Sequence, residues 1–399
     1  MGTPGNLKRV VVVLGMGRSG TSTIARSLAA IGVDLGQDLL AASFDNPKGF
    51  WEDNQSREIN DALLAAMGQA WHTLFFSPDM ELTHPSTVAL HHRAVDHITQ
   101  TFGSSRVWGF KDPRTVRVLP FWLNVFQSLD LTPSFVIAVR NPLSVADSLA
   151  SRDGFAKEKS LLLWLCHTLA ALVVPHTYDR VVVDYDGFLE KPYASLMRVA
   201  SQLNLPPPVP DDEFFTAFVD QRLRHTRYHI ADLLGHPLVM PLIRQAYTLA
   251  IDLAYDRMSV EAEEVRHQVD KLCRELLALK PVLDYINELE TRCDTLQGRL
   301  RDGEHAWAML REALAKSEAE REVGTEINNR LQVELKQREE DNDAVNHRLR
   351  MAESEVEAER RLASGLRDQI LAYERSTSWR LTAPVRSVVD KVVKPRRKP

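Results

Sequence analysis

Cysteine is scarce in this 399-residue chain: only Cys166, Cys273 and Cys293 occur, odd in number and with no CxxC pair. That argues against a disulfide framework or a zinc site, and it fits a reducing cytosol. Long apolar runs are also missing. The longest, "LLLWLCHTLAALVV" at 161–174, falls short of the ~20 residues that span a bilayer and is expected to be a buried helix. No secretory leader is expected, because residues 10–14 are too short for an apolar leader core and no small-residue cleavage site follows. Basic residues are not in excess: 49 Lys and Arg against 54 Asp and Glu give a net charge of −5, which argues against a nucleic-acid partner. The expected location is cytoplasmic.

Proline disappears between Pro281 and Pro384, and the composition changes near residue 255. Before that point, apolar β-branched runs alternate with helical patterns. Residues 9–15, 106–111, 134–140 and 180–185 read as strands. They are continuously apolar, as strands buried on both faces of a parallel sheet are. Helices are expected over 22–31, 116–129 and 144–151, so residues 1–255 form an α/β domain with a parallel sheet flanked by helices. From 256 to 375 the chain is rich in Glu, Arg, Leu and Ala, with apolar residues at steps of three and four. Val269, Leu272, Leu276, Leu279, Leu283 and Ile286 give one register; Leu289, three residues on, breaks it like a stammer. A second register runs through Cys293, Leu296, Leu300, Trp307, Leu310 and Leu314 and resumes at Leu331, weakening between Ser317 and Asn328 around Gly324. These heptads predict a long α-helical coiled coil and, through it, a homo-oligomer, with a charged single helix or a disordered spacer as the blander alternative. Residues 376–399 pair an apolar stripe (Val385, Val388, Val389, Val392, Val393) with a basic end at Lys391, Lys394, Arg396, Arg397 and Lys398. Such a tail suits weak contact with an anionic membrane surface, here the inner face of the membrane, although a solvated tail is the plainer expectation.

The glycine loop "LGMGRSGTST" at 14–23 follows a strand and opens a helix, an arrangement that binds anions through backbone N–H groups and the helix dipole. Gly15 and Gly20 have the spacing of a nucleoside-triphosphate loop, yet Thr21 stands where that loop needs lysine. The cation within the loop is Arg18, whose planar fork suits one tetrahedral oxyanion. No magnesium site or other metal set is evident. Further along, Arg140 ends a strand, Asn141 and Pro142 turn the chain, and Ser148 follows eight residues after Arg140. Ligands of open α/β sheets bind beyond the carboxyl ends of strands, so Arg140 is expected in the same crevice as the loop.

These two motifs resemble those of sulfotransferases that use 3′-phosphoadenosine-5′-phosphosulfate (PAPS). Arg18-Ser19-Gly20-Thr21-Ser22 resembles the family's 5′-phosphosulfate loop, with Gly17 before it, and the Arg140 to Ser148 pattern resembles its 3′-phosphate motif. The resemblance covers roughly residues 8–230 and implies the sulfotransferase fold, PAPS as co-substrate and no metal. It also implies roles. Lys111, in "KDPRT", resembles the catalytic-site lysine of tyrosylprotein sulfotransferases; Asp112 beside it is expected to cap the next helix or orient Lys111 or Arg114. "GFWED" at 49–53 resembles a segment of bacterial sulfotransferase-like proteins, and Glu52, next to Phe50 and Trp51, is the expected base; Asp53 is the neighbour to weigh. Arg224, in "LRHTR" with His225 and Arg227, is a candidate third phosphate contact, against the plainer expectation of a solvated basic helix end. The carboxylate base, and a tail similar to the ends of bacterial cell-surface polysaccharide enzymes, point to a glycan acceptor. The alternatives are a P-loop kinase and a coiled-coil scaffold with a degenerate nucleotide domain. His91, His92 and His97 are expected on a polar surface helix, Cys166 and His167 in the core, and "DYDGFLEKP" at 184–192 as a strand end and helix cap.

Overall fold

The computed structural model describes residues 9–43, 46, 48–74, 84–210, 213–218, 228–319 and 325–375. The chain divides into two compact units, Met1–Lys280 and Pro281–Pro399. The first carries a four-stranded, wholly parallel sheet in the order β2-β1-β3-β4: β1 is Arg9–Leu14, β2 Val107–Lys111, β3 Thr132–Val139 and β4 Arg180–Asp184. All four expected strands are present, each trimmed by one or two residues or shifted at its ends. Val10 to Leu14 are at most 1% exposed, which is why they read as an unbroken apolar run: both faces are covered.

One face packs on α1 (Thr21–Ala29), α7 (Tyr185–Glu190) and α8 (Pro192–Gln202), with Val11, Val13, Ile24, Leu28, Phe188, Leu196 and Val199 in a single buried cluster. On the other lie α3 (Pro85–Phe102) and α4 (Leu119–Ser128), whose Phe102, Trp122 and Phe126 meet Trp108 and Phe110 of β2. Because side chains alternate along a strand, Lys111 falls on the face opposite Trp108 and Phe110, the face of α1. Residues 161–174 are nearly all inside α6 (Lys157–Leu172), and Cys166 and His167 are each 1% exposed, as core residues. Helix α2 (Asn54–Ala66), a 3-10 turn (Pro113–Arg117), α5 (Pro142–Asp153), α9 (Ile230–Gly235) and α10 (Pro241–Ala254) complete the α/β layers. Helix α11 (Glu263–Ala278) packs on α10 and α6, so the first register of Val269, Leu272 and Leu276 serves this unit as a buried helix face.

In the second unit, α12 (Lys280–Ala319) and α13 (Thr325–Arg375) are long helices of about 60 and 75 Å. Arg292 of α12 meets Glu359 of α13 at 3.6 Å, Tyr285 hydrogen-bonds the same carboxylate, and a Cβ on Gly303 would lie 3.9 Å from Asn342. Partner numbers fall along α13 as they rise along α12, so the two helices pair antiparallel within one chain. Along α13 the covered positions Asn342, Leu349, Val356 and Ala363 are seven residues apart. Residues 320–324, within the stretch where the heptads weaken, and the tail 376–399 lie outside the described residues. Among the described residues no helix is long and apolar enough to cross a membrane.

Candidate active site

Strand order places a topological switch between β1 and β3, and the crevice beyond their carboxyl ends is where the predicted residues gather. The loop leaves β1 through Gly15, whose Cβ would sit 2.5 Å from the Ala138 carbonyl oxygen of β3. It turns through Arg18 and Gly20, at φ 70° and 81°. Left-handed backbone is natural for glycine and rare for arginine. Gly20 is the N-cap of α1 and offers no side-chain cap, so the first-turn N–H groups, at Thr21 and Ser22 among others, face the crevice without an intrahelical acceptor. The Tyr185 ring, just past β4, lies on Gly20; a Cβ there would come within 1.9 Å of it. Ser19 is fully buried, and its Oγ has no hydrogen-bond partner among the described residues. A buried orphan hydroxyl inside an uncapped glycine turn fits an anionic group.

Arg18 and the Arg140–Ser148 motif meet directly. Arg18 Nε donates to Ser148 Oγ at 2.8 Å, and Arg140 Nη1 donates to the Arg18 carbonyl at 3.2 Å. The Arg140 guanidinium also lies 5.1 Å from the Tyr185 ring centroid. Arg140 gets its position from β3 on one side and the N-cap of α5 on the other, where Asn141 Oδ1 accepts from the Leu143 N–H at 3.0 Å. Arg224, His225 and Arg227 lie outside the described residues. The next described residue, Tyr228, docks on α5: its hydroxyl donates to Asp147 at 2.6 Å and its carbonyl accepts from Asn141 at 3.3 Å.

Lys111 and Glu52 are brought together as well. Lys111 Nζ donates to Glu52 Oε1 at 2.6 Å, to the Phe50 carbonyl at 3.1 Å and to Ser22 Oγ at 3.2 Å. The ammonium thus links the glycine loop's helix to the "GFWED" segment. Both side chains are buried, at 3% and 7% exposed. Within that burial the near neighbour of Glu52 is a cation, and Arg114 Nη1 is 3.8 Å from its second oxygen. Trp51, just before it, has φ 57°, a strained value for a bulky residue. Its ring is pinned by a 2.9 Å bond from Nε1 to the Lys48 carbonyl and by the Arg26 guanidinium 5.2 Å away. That turn lets Phe50 and Glu52, two residues apart, both face Lys111.

Asp112 plays the expected capping role: it accepts from the Arg114 N–H at 2.9 Å and takes the Arg114 guanidinium on both oxygens. Burial opposes the charge on Arg114, but Asp112, Asp61 and Glu52 together raise its pKa. Asp53 caps α2 through the Ser56 N–H at 2.7 Å. Contrary to expectation, His97 is not a surface residue: its Nε2 meets Asp53 Oδ1 at 2.8 Å, with both side chains largely buried. Burial pushes the Asp53 carboxyl up, yet the His97 and Ser56 hydrogen bonds outweigh it and hold the carboxyl below its usual value. Asp53 is thereby committed to the frame rather than to the crevice. Asn60 was not singled out from the sequence. It joins Asp112, Thr115 and the Trp122 indole at 2.9, 3.1 and 2.7 Å. Its signal was the polar series Asp53, Ser56, Asn60 at helical spacing on the same turns as Ile59 and Leu63. Asp184 caps α7 through the Gly187 N–H at 2.9 Å. Among the described residues no group of three or more His, Cys, Asp or Glu could hold a metal ion.

No family model matches the chain, and no curated protein does. Among solved structures it is similar to a sulfotransferase domain from the olefin synthase of Synechococcus PCC 7002, with TM-score 0.34, 14% identity, and 68% of this chain and 95% of that chain covered.

Proposed function

We propose that this chain is a PAPS-dependent sulfotransferase that moves a sulfuryl group to a hydroxyl of a glycan. The observation that carries the reading is the convergence of Arg18, Arg140, Ser148, Lys111 and Glu52 around a glycine turn that has Thr21 in place of the triphosphate-loop lysine. Sulfuryl transfer resembles phosphoryl transfer, in which positioning and electrostatics supply most of the catalysis. The N–H groups of Gly17 to Ser22 and the Ser19 hydroxyl would hold the 5′-phosphosulfate. Arg140, with Ser148, would hold the 3′-phosphate, and Arg224 is a candidate to close it. PAPS, when bound, supplies an activated sulfuryl group with a phosphate as leaving group.

The chain's own groups then divide the work. Lys111, already touching Ser22, neutralises charge at the leaving oxygen. Arg18 stabilises the sulfuryl oxygens. Glu52 accepts the proton of the acceptor hydroxyl once Lys111 is drawn toward the anionic donor. A kinase reading lacks the loop lysine, and the scaffold reading leaves this constellation of buried charge without a purpose. Self-association through the long helices and a weak membrane-surface contact of residues 376–399 remain expectations from the sequence pattern. The test of the reading is transfer of radiolabelled sulfuryl from PAPS to glycan acceptors, with Arg140→Ala beside the unmodified chain. Loss of saturable 3′-phosphoadenosine-5′-phosphate binding in the variant supports the assignment, and unchanged affinity removes it.

A further inference from the structure

A second group of residues lies one helical turn beyond Ser148. Trp71 stacks on Phe155 with centroids 5.6 Å apart and planes at 27°. His72 meets both rings edge-on, at 5.5 and 5.6 Å. The Arg152 guanidinium is 5.7 Å from the Trp71 centroid, and Lys159 Nζ is 4.4 Å from that of Phe155. Lys159 Nζ also donates to His72 Nδ1 at 3.3 Å, and Asp153 accepts from Arg152 Nε at 2.9 Å. All three rings are half-buried.

This surface is held rigidly. Arg117, 2% exposed, donates to the carbonyls of Trp71 and Thr73 at 2.9 and 2.8 Å and to Gln69 Oε1 at 3.0 Å. Burial lowers its pKa to about 10, still well above neutrality, so the anchor stays charged. A buried charge is retained where its hydrogen bonds are made, and here they fix the loop that carries Trp71 and His72. Arg152 follows Ser148 by four residues, which sets both on one face of α5, about 6 Å apart along its axis. Ser148 in turn touches Arg18 of the glycine loop.

We propose that Trp71, His72, Phe155, Arg152 and Lys159 form a subsite for a ring bearing an anionic group, the class to which a uronic-acid unit of a glycan belongs. The solvent-facing edges of the stacked pair and of His72 take the apolar side of a sugar ring. Cations held against those rings meet its carboxylate, and a guanidinium does so with a planar fork. This deepens the transfer reading by naming the acceptor class and rests on it for the reaction. The ring-binding step itself is separable. Saturation-transfer NMR of the full chain with glucuronic acid, and with glucose as the neutral match, tests it. Expected is stronger saturation of glucuronic acid, with affinity falling about tenfold in the Arg152→Met, Lys159→Met double variant and retained in the charge-preserving Lys159→Arg variant. Equal response to both sugars, response to neither, or a response that survives in the double variant overturns the proposal. Calorimetry of 3′-phosphoadenosine-5′-phosphate on the same preparation is read separately: nucleotide binding without sugar binding sinks the subsite alone, and sugar binding without nucleotide binding sinks the transfer reading alone.

Discussion

Replacing Glu52 by glutamine should strengthen, rather than weaken, the hold on nucleotide. Lys111 sits 2.6 Å from Glu52 and 3.2 Å from Ser22 of the loop, so the carboxylate and an incoming anion compete for one ammonium. At an effective dielectric near 20, two unit charges at such range attract by ~5–6 kcal/mol. Desolvation of both partners consumes part of that, and removing one member of a buried pair destabilises a fold by ~3–5 kcal/mol. Glutamine keeps an oxygen for Lys111, so the stability loss should fall at or below the lower end. The freed ammonium should then bind 3′-phosphoadenosine-5′-phosphate about tenfold tighter, ~1.4 kcal/mol, while turnover collapses for lack of a base. Calorimetric affinity and thermal unfolding of the variant, beside single-turnover transfer, read all three. Weaker or unchanged nucleotide affinity would refute the competition, and a near-normal rate would exclude Glu52 as base.

Gly20→Ala should lose nucleotide binding, because its Cβ would meet Tyr185 at 1.9 Å and its φ is 81°; adding Tyr185→Ala should recover stability to within the ~1 kcal/mol left-handed backbone penalty, seen in urea unfolding. His167 is fully buried, and burial with nearby Arg117 lowers its pKa to about 3 while Leu163 takes its Nδ1–H at 2.8 Å. Its folded pKa lies below the unfolded value near 6.5, so between those values the unfolded chain binds one more proton. This histidine therefore withdraws stability as pH falls through that window, by ~1.4 kcal/mol per pH unit. A His167→Gln chain should show a shallower acid slope in denaturant titrations at pH 6.5 and 5; identical slopes would mean the folded histidine is protonated. Asp53→Ala removes the α2 cap and the His97 contact and should cost ~1 kcal/mol or more with nucleotide affinity intact; a loss of affinity instead would place Asp53 in the site.

The strands were legible in the sequence because parallel strands buried on both faces leave continuous valine-rich runs, and the meeting of Arg18 with Arg140 and Ser148 because glycine turns and strand-end arginines have fixed spacing. Lys111 and Glu52 were legible as types, but their ion pair was not, since it depends on the left-handed turn at Trp51 and on which face of β2 Lys111 occupies. His97 was misread because α3 is polar along most of its length, and only its packing on α2 brings one histidine to Asp53. The heptads of α12 and α13 carry no statement of partner: the same periodicity serves a seam between chains and the antiparallel pairing found within one. Val269, Leu272 and Leu276 show the same ambiguity, covered here by α6 and α10.

On the proposed function, the glycine loop and Arg140 together hold a 3′-phosphorylated nucleotide without a metal. Calorimetric titration of the full chain with 3′-phosphoadenosine-5′-phosphate in the presence of chelator, beside ATP with magnesium, tests it most directly. Saturable, chelator-insensitive binding of the first and none of the second is expected. Preference for magnesium-ATP, or no binding of either nucleotide, would contradict it.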